Sequence, residues 1–419
     1  WEPGMVTITS LAKDERSARV ALAATLEPDD AVTGRLLAAV GAVETVRLAA
    51  GTGAFPKKID TVEAGLWRNK VAPRMEARTV TQALSETDRL GLRILIPGDD
   101  EWPTALNDLG DRAPTALWLR GAVSFLTAPL NDRVTITGAR AATSYGEHVV
   151  GELASEMTHA ERIIVAGGAY GIDAAAHRAA LASGGQTLAV MVGGLDRLYP
   201  SGNRELLERV GDLGLLASEM PPGSAPTKWR FLARNRVLGA LSGATVVVEA
   251  GYRSGSLNVA ARAAQLGRPV GAVPGPVTSV SSAGTHRLLH EGVASLVTDA
   301  ADVTALLDPP AGGGGQAFAR ESGVTPSARR DGRALCSHWS AAPLVVTRDP
   351  YAGGHDFHRS ASRPRGRSWA SDGRAAGCGG EQRSCGDERS GLEVRAAAGE
   401  GTTANRLPQG RCSDGEQRR

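Results

Sequence analysis

Apolar side chains recur at helical spacing through the first 90 residues. Glycines at positions 34, 41, 51 and 53 interrupt the pattern. Because positions three or four residues apart share one side of a helix, the pattern predicts a small N-terminal helical domain over residues 1–90. The apolar positions are Val20, Leu22, Leu26, Leu36, Leu37, Val40, Val43 and Val46.

The glycine turns between these short helices allow two interpretations. A helix-hairpin-helix would use the turns to hold a nucleic-acid backbone, whereas a plain helical module would use them only for packing. We favour the packing module and keep the hairpin as the alternative. A connector rich in proline and tryptophan follows at residues 91–130, and we expect it to lie against the next domain.

Short runs rich in Val and Ile alternate with helical stretches through residues 131–310, and glycine follows most of the runs. This alternation predicts the α/β class, with a doubly wound parallel sheet. In such sheets ligands bind beyond the carboxyl ends of the strands, so the loops there are the candidate site. The predicted strands occupy residues 134–137, 162–166, 187–192, 215–218, 244–249, 269–273 and 294–297.

Residues 311–419 lose the composition of a hydrophobic core. They hold 17 arginines and no lysine, but only ten Leu, Val and Phe side chains. Such a segment cannot bury enough apolar surface to offset its conformational entropy, so we predict a disordered Arg/Gly-rich tail. Its arginines could bind nucleic acid. We favour the interpretation that the segment is under no folding constraint, as the product of out-of-frame translation of a GC-rich gene would be.

The net charge of +2 conceals an uneven distribution. Residues 1–310 hold 30 basic and 33 acidic side chains, a net of −3, and the tail holds 17 and 12, a net of +5. A body of net negative charge does not attract nucleic acid over its whole surface. Any nucleic-acid site in the body must therefore be a local basic patch.

The chain lacks the sequence features of several protein classes. No apolar run approaches the roughly 18 residues of a membrane helix, and the first ten residues do not resemble a signal peptide. We therefore expect a cytoplasmic protein that does not contact membranes. The cysteines do not have zinc-site spacing, so we expect no metal, no cofactor and no thiol chemistry. All four lie in the tail, at Cys336, Cys378, Cys385 and Cys412.

Glycine-rich loops follow several predicted strands. Gly167, Gly168 and Gly171 open a predicted helix at 172–182, where backbone N–H groups and the helix dipole could hold a phosphate. The loop matches neither GxGxxG nor GxxxxGK[ST], which removes the main support for a dinucleotide or P-loop ATPase site. Further glycine loops lie at 138–140, 193–196 and 253–256. Several such loops at one sheet edge favour a polymer of phosphates.

Positive charge concentrates at residues 227–236, where four cations accompany Trp229 and Phe231. On a helix beginning near Phe231, Arg234 and Arg236 would lie about 200° apart, so one of them should be structural. The two aromatic rings could stack on bases, as in single-strand binding, or plug the core. Asp173, His177, Glu219 and Glu249 could form a hydrolytic site, but carboxylates near helix starts more often act as caps.

Seven motifs follow one another between residues 138 and 289. They are GAR (138–140) with SYG (144–146), GGAYGIDAAAH (167–177), ALASGGQTLAVMVGGLDRLYPSGNRELL (180–207), SEMPPG (218–223), FLARNRVLGALS (231–242), VVVEAGYRSGSL (246–257) and PGPVTSVSSAGTHRLL (274–289). Together they resemble the DNA-processing protein A family, also called DprA or Smf. The resemblance covers about residues 90–300.

This resemblance implies an extended Rossmann-like domain that binds single-stranded DNA without catalysis. It also implies a homodimer that helps to load the RecA recombinase during natural transformation. The family's basic pocket residues fall on Arg140, Lys228, Arg234 and Arg236. With the glycine loops and helix starts, the candidate DNA-binding residues are Gly138, Arg140, Gly167, Gly168, Gly171, Asn203, Lys228, Arg234, Asn235, Arg236, Ser254, Gly255 and Ser256.

The sequence departs from the family pattern at several positions. Leu232 replaces a proline, Val259 a threonine and His286 an asparagine, and Tyr170 stands where lysine is common. Loss of that hydroxyl and that cation should weaken binding. Nothing in 311–419 resembles the winged-helix domain that ends many members. The alternative function is a phosphoribohydrolase on a related fold, but its Pro-Gly-Gly-x-Gly-Thr loop is missing.

Overall fold

The structure is a computed structural model, and it describes residues 7–309. Nine strands lie in this range. The seven predicted strands form β3 to β9, with ends shifted by at most two residues. The strands are β1 (Arg93–Leu95), β2 (Leu117–Gly121), β3 (Arg133–Thr137), β4 (Ile163–Ala166), β5 (Thr187–Met191), β6 (Leu215–Ser218), β7 (Ala244–Val247), β8 (Val270–Ala272) and β9 (Ser295–Leu296).

All nine strands form one sheet in the order β1-β2-β6-β5-β4-β3-β7-β8-β9. Strands β3 to β9 are parallel, and Val134 of β3 pairs with Ile164 of β4 and with Ala244 of β7. The chain moves outward from β3 to β6 and then crosses back to β7 on the other side of β3. This reversal leaves a crevice at the carboxyl ends of β3 and β7, where ligands bind in sheets of this type.

The connector supplies two strands that the sequence did not predict. β1 and β2 pair antiparallel with each other and extend the sheet beyond β6. Prolines and short length hid their pattern, because β1 has only three residues. The side chain of Trp118 in β2 is fully buried, and its indole N–H donates to the Thr87 hydroxyl at 3.0 Å. The predicted parallel sheet is therefore mixed at one edge.

Helices cover both faces of the sheet, as doubly wound topology requires. The helices are α1 (Ile8–Leu11), α2 (Glu15–Thr25), α3 (Ala31–Ala49), α4 (Thr61–Val71), α5 (Ala77–Arg89), α6 (Ser124–Thr127), α7 (Ser144–His159), α8 (Ile172–Ala182), α9 (Arg204–Leu213), α10 (Lys228–Ala240), α11 (Ser256–Gln265), α12 (Ala283–His290) and α13 (Ala300–Leu307). Short 3-10 turns lie between them, the longest being Thr104–Arg112.

The central strands are buried on both faces. Ile164 packs in the cluster formed with α7, α8 and α13, whereas its neighbours Ile163 and Val165 pack in the cluster formed with α10 and α11. Side chains alternate between the faces of a strand, so a strand covered on both sides is mostly apolar along its whole length. This explains why the sequence showed continuous apolar runs rather than alternation. The buried polar side chains within β3 and β5 are hydrogen-bonded, as Thr135 is to Ser242.

The first five helices pack around a core of their own. Leu22, Leu36 and Trp67 lie at its centre. Gly41 takes a positive φ of 77° and breaks α3 into two pieces, and the next amide, of Ala42, donates to the Glu15 carboxylate at 2.9 Å. A carboxylate therefore occupies an amide that a helix-hairpin-helix would offer to a phosphate, in agreement with the packing interpretation.

The helical region also contacts the sheet. Val20 and Ala23 of α2 pack in one cluster with Trp118 and Leu207. The division into domains at residues 90, 130 and 310 stays a prediction, and the predicted disordered tail lies outside the described residues. Within residues 7–309, no helix combines the length and apolar character needed to cross a bilayer.

Candidate nucleic-acid interface

A cavity of about 740 Å³ opens at the carboxyl ends of the central strands, at the crevice between β3 and β7. The loops after β3, β4, β5 and β7 and the first turns of α10 contribute to its wall. Eight of the thirteen predicted binding residues line it: Gly138, Arg140, Lys228, Arg234, Asn235, Ser254, Gly255 and Ser256. The topology thus brings together side chains that are more than 110 residues apart in the sequence.

Arg140 is exposed in the loop that joins β3 to α7. Its guanidinium carbon lies 4.6 Å from the ring centroid of Phe231, a cation–π arrangement. The stacking holds the guanidinium over the cavity and leaves its N–H groups available to an anion. Gly138 lets the loop approach closely, because a Cβ there would lie 2.6 Å from Ile172.

Helix α10 begins at Lys228, three residues earlier than expected, because Thr227 caps it. The Thr227 hydroxyl accepts the N–H of Arg230 at 3.2 Å. This start places Lys228, Phe231 and Asn235 on one side of the helix, facing the cavity. Lys228 is exposed. Its ammonium is therefore accessible to a phosphate at the rim.

Arg234 forms the floor of the cavity and is only 6% exposed. Its Nη1 donates to the Val190 carbonyl at 3.0 Å, and its Nε has no hydrogen-bond partner within residues 7–309. Burial lowers the pKa of Arg234, nearby Asp173 raises it and nearby Arg140 lowers it. A buried cation with unused donors is suited to an anionic ligand.

Arg236 has a structural role instead. It is 1% exposed, and its Nη1 and Nη2 each donate to a Glu219 carboxylate oxygen at 2.6 Å. Its Nε donates to the Arg112 carbonyl at 2.7 Å. Burial by itself would lower the pKa of Arg236, but the carboxylates of Glu219 and Asp29 together raise it above the usual value. Helix spacing predicted that one of the two arginines is structural, and these contacts indicate that it is Arg236.

The glycine loop after β4 supports the cavity rather than forming an open phosphate cradle. The N–H groups of Gly167 and Ala169 donate to Oδ2 of Asp173 at 3.1 and 3.4 Å. Asp173 also accepts the Thr137 hydroxyl at 2.9 Å. Because a carboxylate of the chain itself takes these amides, they are not free for a ligand.

The remaining predicted residues of this region also hold the loop. Gly171 has a φ of 72°, and a Cβ there would lie 2.2 Å from the Ala139 carbonyl oxygen, so only glycine fits between the two loops. Gly168 has a φ of 69°. The Asn203 amide donates to the carbonyls of Gly168 and Ala169, both at 3.0 Å.

The start of α11 forms the opposite wall. Ser254 and Ser256 share a hydrogen bond of 2.8 Å between their hydroxyls, and Ser256 begins the helix. The Asn235 amide reaches the Gly255 carbonyl at 3.4 Å, which ties this loop to α10. Val259, where the family pattern has threonine, also lines the cavity and is buried. Its apolar side chain gives this wall no hydroxyl at that position.

Aromatic rings form the outer wall. Tyr199, which the sequence did not single out, packs edge-on against Phe231 with ring centroids 6.0 Å apart, and it is 45% exposed. Its only sequence signal was its place in the loop after β5. Trp229 does not join these rings, because it lies on another side of α10 and its indole N–H donates to the Pro28 carbonyl at 3.4 Å. Phe231 and Tyr199 offer ring surface to a base.

The carboxylates considered for hydrolysis are occupied elsewhere. Glu249 is buried and accepts both the N–H and the hydroxyl of Thr143, at 2.9 and 2.6 Å, and thereby braces the residue that caps α7. Glu219 pairs with Arg236. His177 is fully buried, and its Nδ1 lies 2.7 Å from the Thr187 hydroxyl. Of these residues, Asp173 alone lines the cavity.

The family model described as DNA recombination-mediator protein A matches residues 93–308, which is about half of the chain and contains the whole cavity. This chain belongs to that family. Relatives of this chain in Mycobacterium tuberculosis and Streptococcus pneumoniae are described as DNA processing proteins, and membership gives the chain a role in DNA processing.

Individual relatives agree with the family assignment. A DNA processing protein DprA of Mycobacterium tuberculosis is 44% identical over 291 residues, covering 66% of this chain and 71% of that protein. The DprA of Streptococcus pneumoniae is 42% identical over 207 residues, covering 49% and 71%. The X-ray structure of the S. pneumoniae protein superimposes with a TM-score of 0.56 at 29% identity, covering 72% of this chain and 98% of that one. This likeness confirms the Rossmann-like fold of the DprA family.

Proposed function

We propose that this chain binds single-stranded DNA in the cavity at the crevice between β3 and β7 and delivers the strand to a RecA-type recombinase without chemical change. The convergence of Arg140, Lys228 and Arg234 on one cavity carries the proposal. The described body is not basic overall, so these cations form the local patch that a nucleic-acid site in it requires.

The aromatic wall supports a preference for single strands. Phe231 and Tyr199 lie beside the cations and could stack on bases, and a base is free to stack on a protein ring only when it is unpaired. The serine and glycine loop at the start of α11 adds hydroxyl groups and a helix dipole at the opposite wall. Phosphates would lie on the cations and bases on the rings.

A titration of labelled oligonucleotides by fluorescence anisotropy tests the binding step. We expect tighter binding to a single strand than to a duplex of the same length. The logarithm of affinity should fall with the logarithm of salt concentration with a slope of roughly 2 to 4, since each neutralised phosphate contributes about 0.7. Equal affinity for both forms would contradict single-strand recognition.

Delivery to a recombinase rests on membership in a family described as recombination mediators. We expect the protein to speed assembly of RecA filaments on single strands already covered by single-strand binding protein, measured as the onset of RecA ATP hydrolysis. No change in that onset at saturating protein would contradict delivery. The resemblance also supports a cytoplasmic homodimer acting in natural transformation, and sedimentation of the full chain tests the dimer.

A further inference from the structure

The loop between α2 and α3, residues 27–30, lies against the helix that carries the cavity cations. We call these four residues the clasp. Glu27 accepts from Nε and Nη2 of Arg230 at 2.9 and 3.1 Å, a two-bond pair that is largely shielded from water. The Pro28 carbonyl accepts from the Trp229 indole. The helical region thus contacts α10 over its first turn.

A second set of contacts lies nearly two turns further along α10. Asp29 Oδ1 lies 3.4 Å from Nε of Arg236, and both side chains are nearly inaccessible to water. Arg112 reaches the same aspartate at 2.9 Å. Because Arg236 is also held by Glu219, the clasp is tied through one buried arginine to the end of β6.

The clasp also makes contacts within the helical region. Asp29 has a positive φ of 66°, a conformation that aspartate and asparagine tolerate better than most residues. Asp30 caps α3 by accepting the N–H groups of Val32 and Thr33, both at 3.0 Å. Arg74 adds a contact to Glu27 at 3.5 Å. The loop is therefore fixed from the helical region while it holds α10.

Two sides of α10 make different contacts, one with the cavity and one with the clasp and its partners. Lys228, Phe231, Leu232 and Asn235 follow the spacing of one helix side and line the cavity. Trp229, Arg230 and Arg236 point away from that side and meet the clasp or its partners. If the clasp contacts were lost, α10 could shift or rotate. Such a movement would displace Lys228 and Arg234, the two cations of α10 that line the cavity.

We infer that Glu27 and Asp29 are positioning residues for the DNA cavity, through which the N-terminal helical region sets the affinity for single strands without touching them. This inference rests on the proposed function. It gives the helical region a role in the same site, rather than a separate DNA contact of its own. The alternative role, a backbone-binding hairpin at Gly41, is disfavoured by the Glu15 carboxylate already bound there.

Because the clasp residues are negatively charged, an electrostatic effect and a positioning effect on DNA affinity have opposite signs. Removing a carboxylate near a polyanion site strengthens binding if only the long-range field matters. Loss of positioning weakens binding instead. We expect Glu27→Gln and Asp29→Asn to lower single-strand affinity by about threefold to tenfold, with the salt slope of the wild type, since no phosphate contact is removed.

Glu63→Gln is the matched control. Glu63 pairs with Arg35 at 2.5 Å inside the helical region and does not line the cavity, so this variant should bind as the wild type does. A cycle with Arg230→Gln and the double variant measures the coupling. If Glu27 acts through Arg230, the double variant should bind no more weakly than the weaker single variant.

The outcomes separate the two proposals. A wild-type protein that does not bind single strands overturns the proposed function itself. A wild type that binds, together with clasp variants that bind equally well or more tightly, overturns the positioning role alone. Thermal unfolding of each variant is followed in parallel, and affinities are compared at temperatures where all variants are folded. Additive losses in the cycle would likewise exclude action through Arg230.

Discussion

Gly167 leaves the space that the Arg234 guanidinium fills. A Cβ on Gly167 would lie 1.7 Å from Nη1 of Arg234, so the glycine is needed for close approach. The Asp173 carboxylate accepts the Gly167 N–H of the same loop and lies near the Arg234 guanidinium. The glycine motif after β4 thus serves the site by making room for a cation at the cavity floor.

Gly167→Ala should displace the Arg234 guanidinium and break its hydrogen bond to Val190. We expect single-strand affinity to fall about tenfold, equivalent to roughly 1.4 kcal/mol, measured by anisotropy. Gly151→Ala in α7 is the control, because a Cβ there meets no atom within 4 Å. That variant should bind normally and unfold at a slightly higher temperature. Unchanged binding by Gly167→Ala would exclude Arg234 from the site.

Arg140→Ala and Lys228→Ala should each weaken single-strand binding and reduce the salt slope by about 0.7, because each removes one phosphate partner. Both side chains are exposed, so thermal unfolding should stay unchanged. Arg209→Ala, an exposed change on α9 outside the cavity lining, serves as the control. Wild-type affinity and slope in both variants would move the DNA site elsewhere.

Arg236→Ala should act on stability. It leaves the largely buried Glu219 carboxylate without its two charged hydrogen bonds, a loss of about 3 to 5 kcal/mol for a buried pair of this kind. Urea unfolding measures it. Arg234→Ala should reduce the free energy of unfolding less and binding more. Equal effects of the two variants on both measurements would contradict the division of roles.

The order of strands and helices was predictable because the parallel strands are short runs rich in apolar residues, and glycine follows most of them. β1 and β2 escaped prediction, since Pro97, Pro103 and Pro114 surround them and an edge strand of three residues carries too little pattern. Their place in the sheet depends on pairing with β6, a contact between distant residues that no local signal encodes.

The candidate site was predictable in its location more than in its roles. Strand ends of a doubly wound sheet meet at one edge, so the loops could be placed together. Spacing on α10 showed that Arg234 and Arg236 differ, but the partner that decides between them, Glu219, comes from another strand end. Asp173 takes the Gly167 amide only six residues away, but its other oxygen is held by Thr137 of β3, a distant contact that no local signal encodes.

The purified protein should release neither free base from nucleoside monophosphates nor fragments from DNA, measured by chromatography and gel electrophoresis. The motivation is that Glu249 braces Thr143 and Glu219 pairs with Arg236, so neither carboxylate is placed to activate water at the cavity. Turnover that disappears in Glu249→Gln would instead support a hydrolase.

His177 should make the protein sensitive to acid. Burial, with help from the nearby charges of Arg234 and Arg178, lowers the pKa of this imidazole from 6.5 to about 3. In the folded protein it stays neutral where the unfolded chain takes up a proton. The stability it supports is therefore complete above pH 6.5 and is lost progressively as pH falls toward 3.

The expected loss is about 1.4 kcal/mol per pH unit within that window, because one pKa unit corresponds to that free energy. Carboxylates add to the wild-type slope, so the comparison must be with His177→Gln, which lacks the titrating group. Free energies of unfolding from urea titrations at several values between pH 7 and pH 4 should converge for the two proteins as the pH falls. Parallel pH profiles would show that the imidazole accepts a proton in the folded state, which is incompatible with its burial beside Arg234.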